Sequence, residues 1–161
     1  MRYLAIDKTA YVISYAIFDD IRLKSWGTMQ IGGKSENERL LEIKGHINYL
    51  IDEYKPTTVI THLLDLSHVN KLEIERIVQV KTIIRLTCIE HKPTIMYYEF
   101  RTYGWELRIT NKRVLNGREA SPSAKIKIAQ EYDKLIKDLH VANAVILGEG
   151  VAHTRLQIGR D

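Results

Sequence analysis

Tyr3-Leu4-Ala5-Ile6-Asp7 opens the chain as a short apolar run that ends in a carboxylate. Such a run reads as a buried β-strand. Residues 11–18 follow as a second strand, with Val12, Ser14, Ala16 and Phe18 on one face and Ile13, Tyr15 and Ile17 on the other. Asp19-Asp20 supplies a tight turn, residues 22–31 return as a third strand, and Gly32-Gly33 closes it. Two hairpin-linked strands after a buried first strand predict an antiparallel meander.

A change of period marks the next element. Ser35 with Glu38 fits a capping box, and Leu40, Ile43, Ile47, Leu50, Ile51 and Tyr54 recur at helical spacing until Pro56. The β-branched run Thr57-Thr58-Val59-Ile60-Thr61 predicts a fourth, buried strand. Lys71–Glu90 reads as a long helix with apolar residues on more than one side, so it is expected to face both the core and a partner subunit. Residues 95–100 form a fifth strand. Ser121-Pro122 opens a helix over 123–139, and a last helix starts near Val141. The order βββαβαβαα predicts the α/β class: a mixed five-stranded sheet flanked by helices, in one domain spanning residues 1–161.

The chain's 161 residues, 45% apolar and 27% charged, suit one soluble domain with a sizeable core. No apolar run reaches the roughly 18 residues needed to span a membrane. The first seven residues are too quickly charged for a secretory signal. The single cysteine, Cys88, excludes an internal disulfide framework and is expected on the apolar face of a helix. A reducing, cytoplasmic setting is therefore expected. No glycine-rich phosphate loop and no structural-zinc spacing occurs, so no nucleotide cofactor is expected.

The net charge of +4 decides little; its distribution says more. Arg108, Lys112, Arg113, Arg118, Lys125 and Lys127 stand against one acid, Glu119, which suggests a polyanion partner or a solvated loop. Tyr103 and Trp105, interleaved with Arg101 and Arg108, could stack on bases or pack as an aromatic cluster.

Four residues could carry chemistry. Asp7 ends the first strand. His62 directly follows the fourth, and the two would share a sheet end if those strands are neighbours; Asp65 is a possible substitute carboxylate. His140 and Asn143, three apart on the last helix, fall on one face. An asparagine can offer a cation a carbonyl oxygen but no charge. Hard cations prefer anionic oxygen ligands.

Together these parts resemble the ribonuclease H-like superfamily, and within it the RuvC family of Holliday junction resolvases, in its short bacteriophage-type branch. Leu4-Ala5-Ile6-Asp7 is similar to the family's opening strand with its first catalytic aspartate, although Lys8-Thr9 replaces the usual Pro-Gly. Pro56-Thr57-Thr58-Val59-Ile60-Thr61-His62 is similar to the strand that ends in a catalytic glutamate, with His62 in that place. His140-Val141-Ala142-Asn143-Ala144 is similar to the last-helix motif, in which Asn143 replaces an aspartate. Lys125 takes the place of a DNA-contacting or catalytic lysine.

The resemblance implies a homodimeric endonuclease that cuts four-way and other branched DNA in recombination or phage DNA processing. It implies Mg²⁺ or Mn²⁺ held by Asp7, His62, His140 and Asn143. The basic residues Arg108, Lys112, Arg113, Arg118, Lys125 and Lys127, with Trp105, are then the candidate DNA contacts, and helix 71–90 is the candidate dimer interface. Two carboxylates of that pattern are missing here. The alternative expectation is a branched-DNA-binding protein with impaired or absent cleavage.

Overall fold

The computed structural model describes residues 1–63, 69–91, 94–101 and 121–158. Three strands come first: β1 (Arg2–Lys8), β2 (Val12–Asp19) and β3 (Arg22–Gln30). Helix α1 (Glu36–Tyr54), strand β4 (Thr58–Leu63), helix α2 (Lys71–Glu90) and strand β5 (Met96–Arg101) follow. Helices α3 (Pro122–Ala129) and α4 (Leu139–Ile158) complete the described elements. The strands form one sheet in the order β3-β2-β1-β4-β5. β1 pairs antiparallel with β2 and parallel with β4, and β4 pairs parallel with β5. The expected mixed five-stranded sheet flanked by helices is therefore the fold.

Strand alternation divides the core in two. Tyr3, Ala5, Ala16, Phe18 and Ile60 face α4, together with Val141, Val145 and Leu147. Leu4, Ile6, Ile13, Ile17 and Val59 face α1 and α2, with Ile43, Ile47, Val80 and Ile84. The two faces of residues 11–18 are those the sequence predicts. Cys88 is buried in α2, as expected. The capping box is formed, with Ser35 Oγ accepting from the Glu38 amide and the Glu38 carboxylate accepting from the Ser35 amide.

Helix α4 lies close on β2. A Cβ at Gly148 would overlap the Phe18 ring, so only glycine admits this approach. That closeness brings the first turn of α4, with His140, down onto the end of β1.

Two boundaries differ from expectation. The helix expected over 123–139 ends at Ala129, and residues 130–138 are turns and irregular chain. Asp133 explains the break: its carboxylate accepts from Trp26 Nε1 at 2.8 Å and from the Leu135 amide at 2.9 Å. That tertiary anchor on β3 competes with helical continuation. His62 lies within β4 rather than after it, because pairing with β5 continues through Leu63. Among the described residues no helix is long and apolar enough to cross a membrane.

Candidate functional site

β1 and β4 run side by side in parallel, with Ile6 opposite Thr61, so Asp7 and His62 are neighbours at one end of the sheet. Both side chains project to the α4 face, as Ala5 and Ile60 do two residues earlier. Asp7 and His62 are each about 5% exposed or less. His140 Nδ1 lies 2.7 Å from Asp7 Oδ2, a hydrogen bond between side chains 133 positions apart. His62 Nδ1 stands 3.7 Å from the other oxygen, Oδ1, at ion-pair rather than hydrogen-bond distance. The structure thus brings Asp7, His62 and His140 together, with one imidazole on each oxygen of the carboxylate.

Burial by itself would raise the Asp7 carboxyl. The adjoining imidazoles of His140 and His62 more than offset it, and Asp7 is held below the usual carboxylate range. The reciprocal effect acts on His140. Its bond to Asp7 raises its pKa against the opposing effect of burial, helped by the charges of Asp7 and Asp138. The two shifts share one cause, the bond between the side chains, and the His140 side chain remains 42% exposed.

Asn143, one turn further along α4, turns its Oδ1 into the interior, where it has no hydrogen-bond partner. A second unpartnered oxygen is Ser14 Oγ, on a side chain that is 0% exposed. Ser14 is the register partner of Asp7 across the β1–β2 hairpin and shares the α4 face. Sequence reasoning placed Ser14 on the right face but did not see it as a neighbour of Asp7. The signal was available: pairing residues 7 and 14 closes the hairpin over residues 9–11. Buried polar atoms without partners are rare and mark places where a ligand or water completes the bonding.

Lys8 leaves β1 on the opposite face. It is 4% exposed, and its Nζ donates to the His62 carbonyl at 2.9 Å. Burial lowers its pKa to about 8, against the charges of Glu99 and Asp7. Lys125 is buried on α3, which packs against α4, whereas Lys127 is exposed. Asp65, Tyr103, Trp105, Arg108, Lys112, Arg113 and Arg118 lie outside the described residues.

These residues can be tested as a metal centre by their chemistry. Asp7, His62 and His140 stand together with their donor atoms turned on one another, and among the described residues no group of three or more histidine, cysteine, aspartate or glutamate side chains is arranged to hold a metal ion. Among the described residues Asp7 is the carboxylate between the two strand ends, and both its oxygens face imidazoles. Mg²⁺ favours several anionic oxygens and binds imidazole poorly. The donor set does not fit a pair of hard dications.

The fold is shared with solved resolvases. Thermus thermophilus RuvC matches with a TM-score of 0.79 and 12% identity, over 98% of this chain and 97% of that one. T. thermophilus RuvC in complex with a Holliday junction substrate matches at 0.72 and 11%, over 97% and 96%. The yeast mitochondrial Holliday junction resolvase matches at 0.69 and 11%, over 98% of this chain and 80% of that one. No protein-family model and no curated protein matches the sequence. The ribonuclease H-like architecture of RuvC is thus the architecture of this chain.

Proposed function

We propose that this chain acts on four-way and other branched DNA as a resolvase-type protein. The observation that carries the reading is positional. Asp7, His62, His140 and Asn143 come from the first strand, the fourth strand and the last helix of a RuvC-type fold, the positions at which the sequence resembles that family's site. The basic segment with Arg108, Lys112, Arg113, Arg118 and Lys127, together with Trp105, would meet the DNA, whereas Lys125, buried on α3, would not reach it. Helix α2 would form a homodimer. Leu72, Val78, Leu86 and Ile89 are exposed along it while Val80, Ile84 and Cys88 face the core.

Two versions of this function differ in chemistry. In the first, the chain is a crossover junction endodeoxyribonuclease with Mg²⁺ or Mn²⁺. In the second it binds branched junctions and cleaves them weakly or not at all. The pairing of both Asp7 oxygens with imidazoles favours the second, because His62 and Asn143 withhold two negative charges from a site that must hold dications. The test compares the chain with Asn143→Asp and with His62→Glu/Asn143→Asp on synthetic four-way junctions in Mg²⁺ or Mn²⁺. Weak cleavage by the chain and faster cleavage by the double variant is expected. Equal cleavage by all three would overturn the charge argument. Equal affinity for linear duplex and junction would overturn the branched-DNA reading. A monomer in sedimentation at micromolar concentration would overturn the dimer.

A further inference from the structure

Resting on the branched-DNA reading above, we propose that the hollow between the β1–β2 turn and the starts of α1 and α2 holds a phosphate of the bound DNA, a few nucleotides from the Asp7 corner. Tyr11 stands in the turn that joins β1 to β2, four residues past Asp7. Arg39 comes from early in α1 and Arg76 from early in α2. All three line one hollow of about 400 Å³. It opens at the sheet end that carries Asp7 and His62, but on the α1/α2 side. Four residues of chain span at most about 14 Å. With about 3.4 Å of rise per phosphate, one DNA strand reaches both places within a few nucleotides.

Arg39 is 8% exposed, and its Nη2 donates to the Ala10 carbonyl at 2.7 Å. Arg76 Nη1 donates to Tyr11 Oη at 2.5 Å. The Cζ atoms of Arg39 and Arg76 lie 5.7 and 5.3 Å from the centre of the Tyr11 ring. Among the described residues neither guanidinium has a carboxylate at ion-pair distance. A buried cation without a counter-charge is costly, so an anion that completes Arg39 is favoured.

The donors point to what that anion is. Each guanidinium carries several N–H groups, and the bonds to Ala10 and Tyr11 use one of each. The Tyr11 hydroxyl accepts from Arg76 and keeps its own proton to donate. A hollow with donors in excess fits a phosphodiester, whose oxygens only accept. Lys34 adds a third cation to the lining, against the carboxylates of Glu36 and Glu75. Glu36 is already engaged by the Gln79 side-chain amide. The helix starts contribute nothing, because Ser35 and Glu38 cap α1 and Asn70 caps α2.

The test uses the full chain in two measurements. Junction affinity is read by fluorescence anisotropy over a series of NaCl concentrations, for the chain and for Arg76→Gln, Tyr11→Phe and Lys24→Gln. Lys24→Gln removes the same charge from an exposed place on β3 and is the control. Arg76→Gln should weaken binding roughly tenfold and reduce the slope of log affinity against log salt by about 1. Tyr11→Phe should weaken binding about threefold and leave the slope unchanged. An unchanged slope in Arg76→Gln, or a loss no larger than that of Lys24→Gln, overturns the proposal.

The second measurement needs neither DNA nor a variant. Inorganic phosphate is titrated against chloride at constant ionic strength, while the Nε–H resonances of Arg39 and Arg76 and the Tyr11 ring are followed by NMR. Phosphate should shift all three. No shift, or an equal shift in chloride, overturns the proposal. If the chain binds no junction at all, the branched-DNA reading fails, while this titration still decides whether the hollow takes a phosphate.

Discussion

Two polar groups leave the same end of β1 and β4 on opposite faces of the sheet, and only one of them is closed. On the α1/α2 face, Thr61 Oγ1 and Tyr97 OH lie 3.1 Å apart, and Tyr97 OH donates to Glu99 Oε1 at 2.8 Å. Lys81 Nζ stands 3.1 Å from Glu99 Oε2, and Lys8 Nζ donates to the His62 carbonyl. On the α4 face, Asp7 is paired with His140, yet Ser14 Oγ and Asn143 Oδ1 are buried without partners. Adjacent residues, Asp7 with Lys8 and Thr61 with His62, supply one member to each group. A satisfied network rigidifies the sheet end, whereas an incomplete one is where a protein departs from its own packing rules to meet a ligand.

The largest effect that separates the two groups is the titration of Lys8. Its pKa is lowered to about 8 from an ordinary 10.5, so between those values the unfolded chain holds a proton that the folded chain has released. Stability therefore rises with pH across that window, by up to an amount on the order of 3 kcal/mol. Below pH 8 both states carry the charge and the burial cost is present in full. Urea unfolding of the chain and of Lys8→Met from pH 7 to 10 checks this: the rise should vanish in the variant. An unchanged slope would mean that Lys8 is not buried as an ammonium.

Asp7→Asn tests the closed part of the open corner. Losing the charge-assisted bond should cost about 1–2 kcal/mol, kept modest because His140 is partly solvated. The sign follows from two opposite shifts. The raised His140 pKa stabilises the fold below its unfolded value of about 6.5, and this is lost as pH rises through the folded value. The lowered Asp7 pKa stabilises above its unfolded value of about 3.9, and this is lost as pH falls through the folded value. The gap between chain and variant should be widest between about pH 4 and 6.5. A gap that widens toward pH 9 would contradict the pairing.

A smaller effect belongs to the closed network. Tyr97→Phe removes the link between Thr61 and Glu99 and should cost about 1 kcal/mol in urea unfolding. No change would mean that the network is replaced by water without loss.

Only the α4-face half of this comparison could be read before the fold was known. The apolar run put Asp7 at the end of the first strand, alternation put Ser14 on its face of β2, and helical spacing placed His140 with Asn143. The parts that could not be read depend on tertiary partners. Nothing local to Lys8 says that its ammonium turns under the sheet to the His62 carbonyl. The helix expected over 123–139 is broken by Trp26, which reaches Asp133 from a strand 107 positions away. The basic residues from Arg108 to Arg118, the clearest polyanion signal in the sequence, fall outside the described residues.

The smallest expected effect is the sharpest test of whether the α4-face corner is open. Ser14→Ala and Thr61→Val each remove one hydroxyl from a fully buried position at the same sheet end. Thr61→Val deletes a partner of Tyr97 and should cost about 1 kcal/mol. Ser14→Ala deletes an oxygen that is already unpartnered, so it should be neutral or stabilise by up to about 1 kcal/mol, because burying an unmet hydroxyl is itself unfavourable. Unfolding the two variants side by side reads the difference directly. If Ser14→Ala costs as much as Thr61→Val, the Ser14 hydroxyl has a partner in solution, and a water held between Ser14 and Asp7 is the simplest one. The corner would then be closed in the free protein.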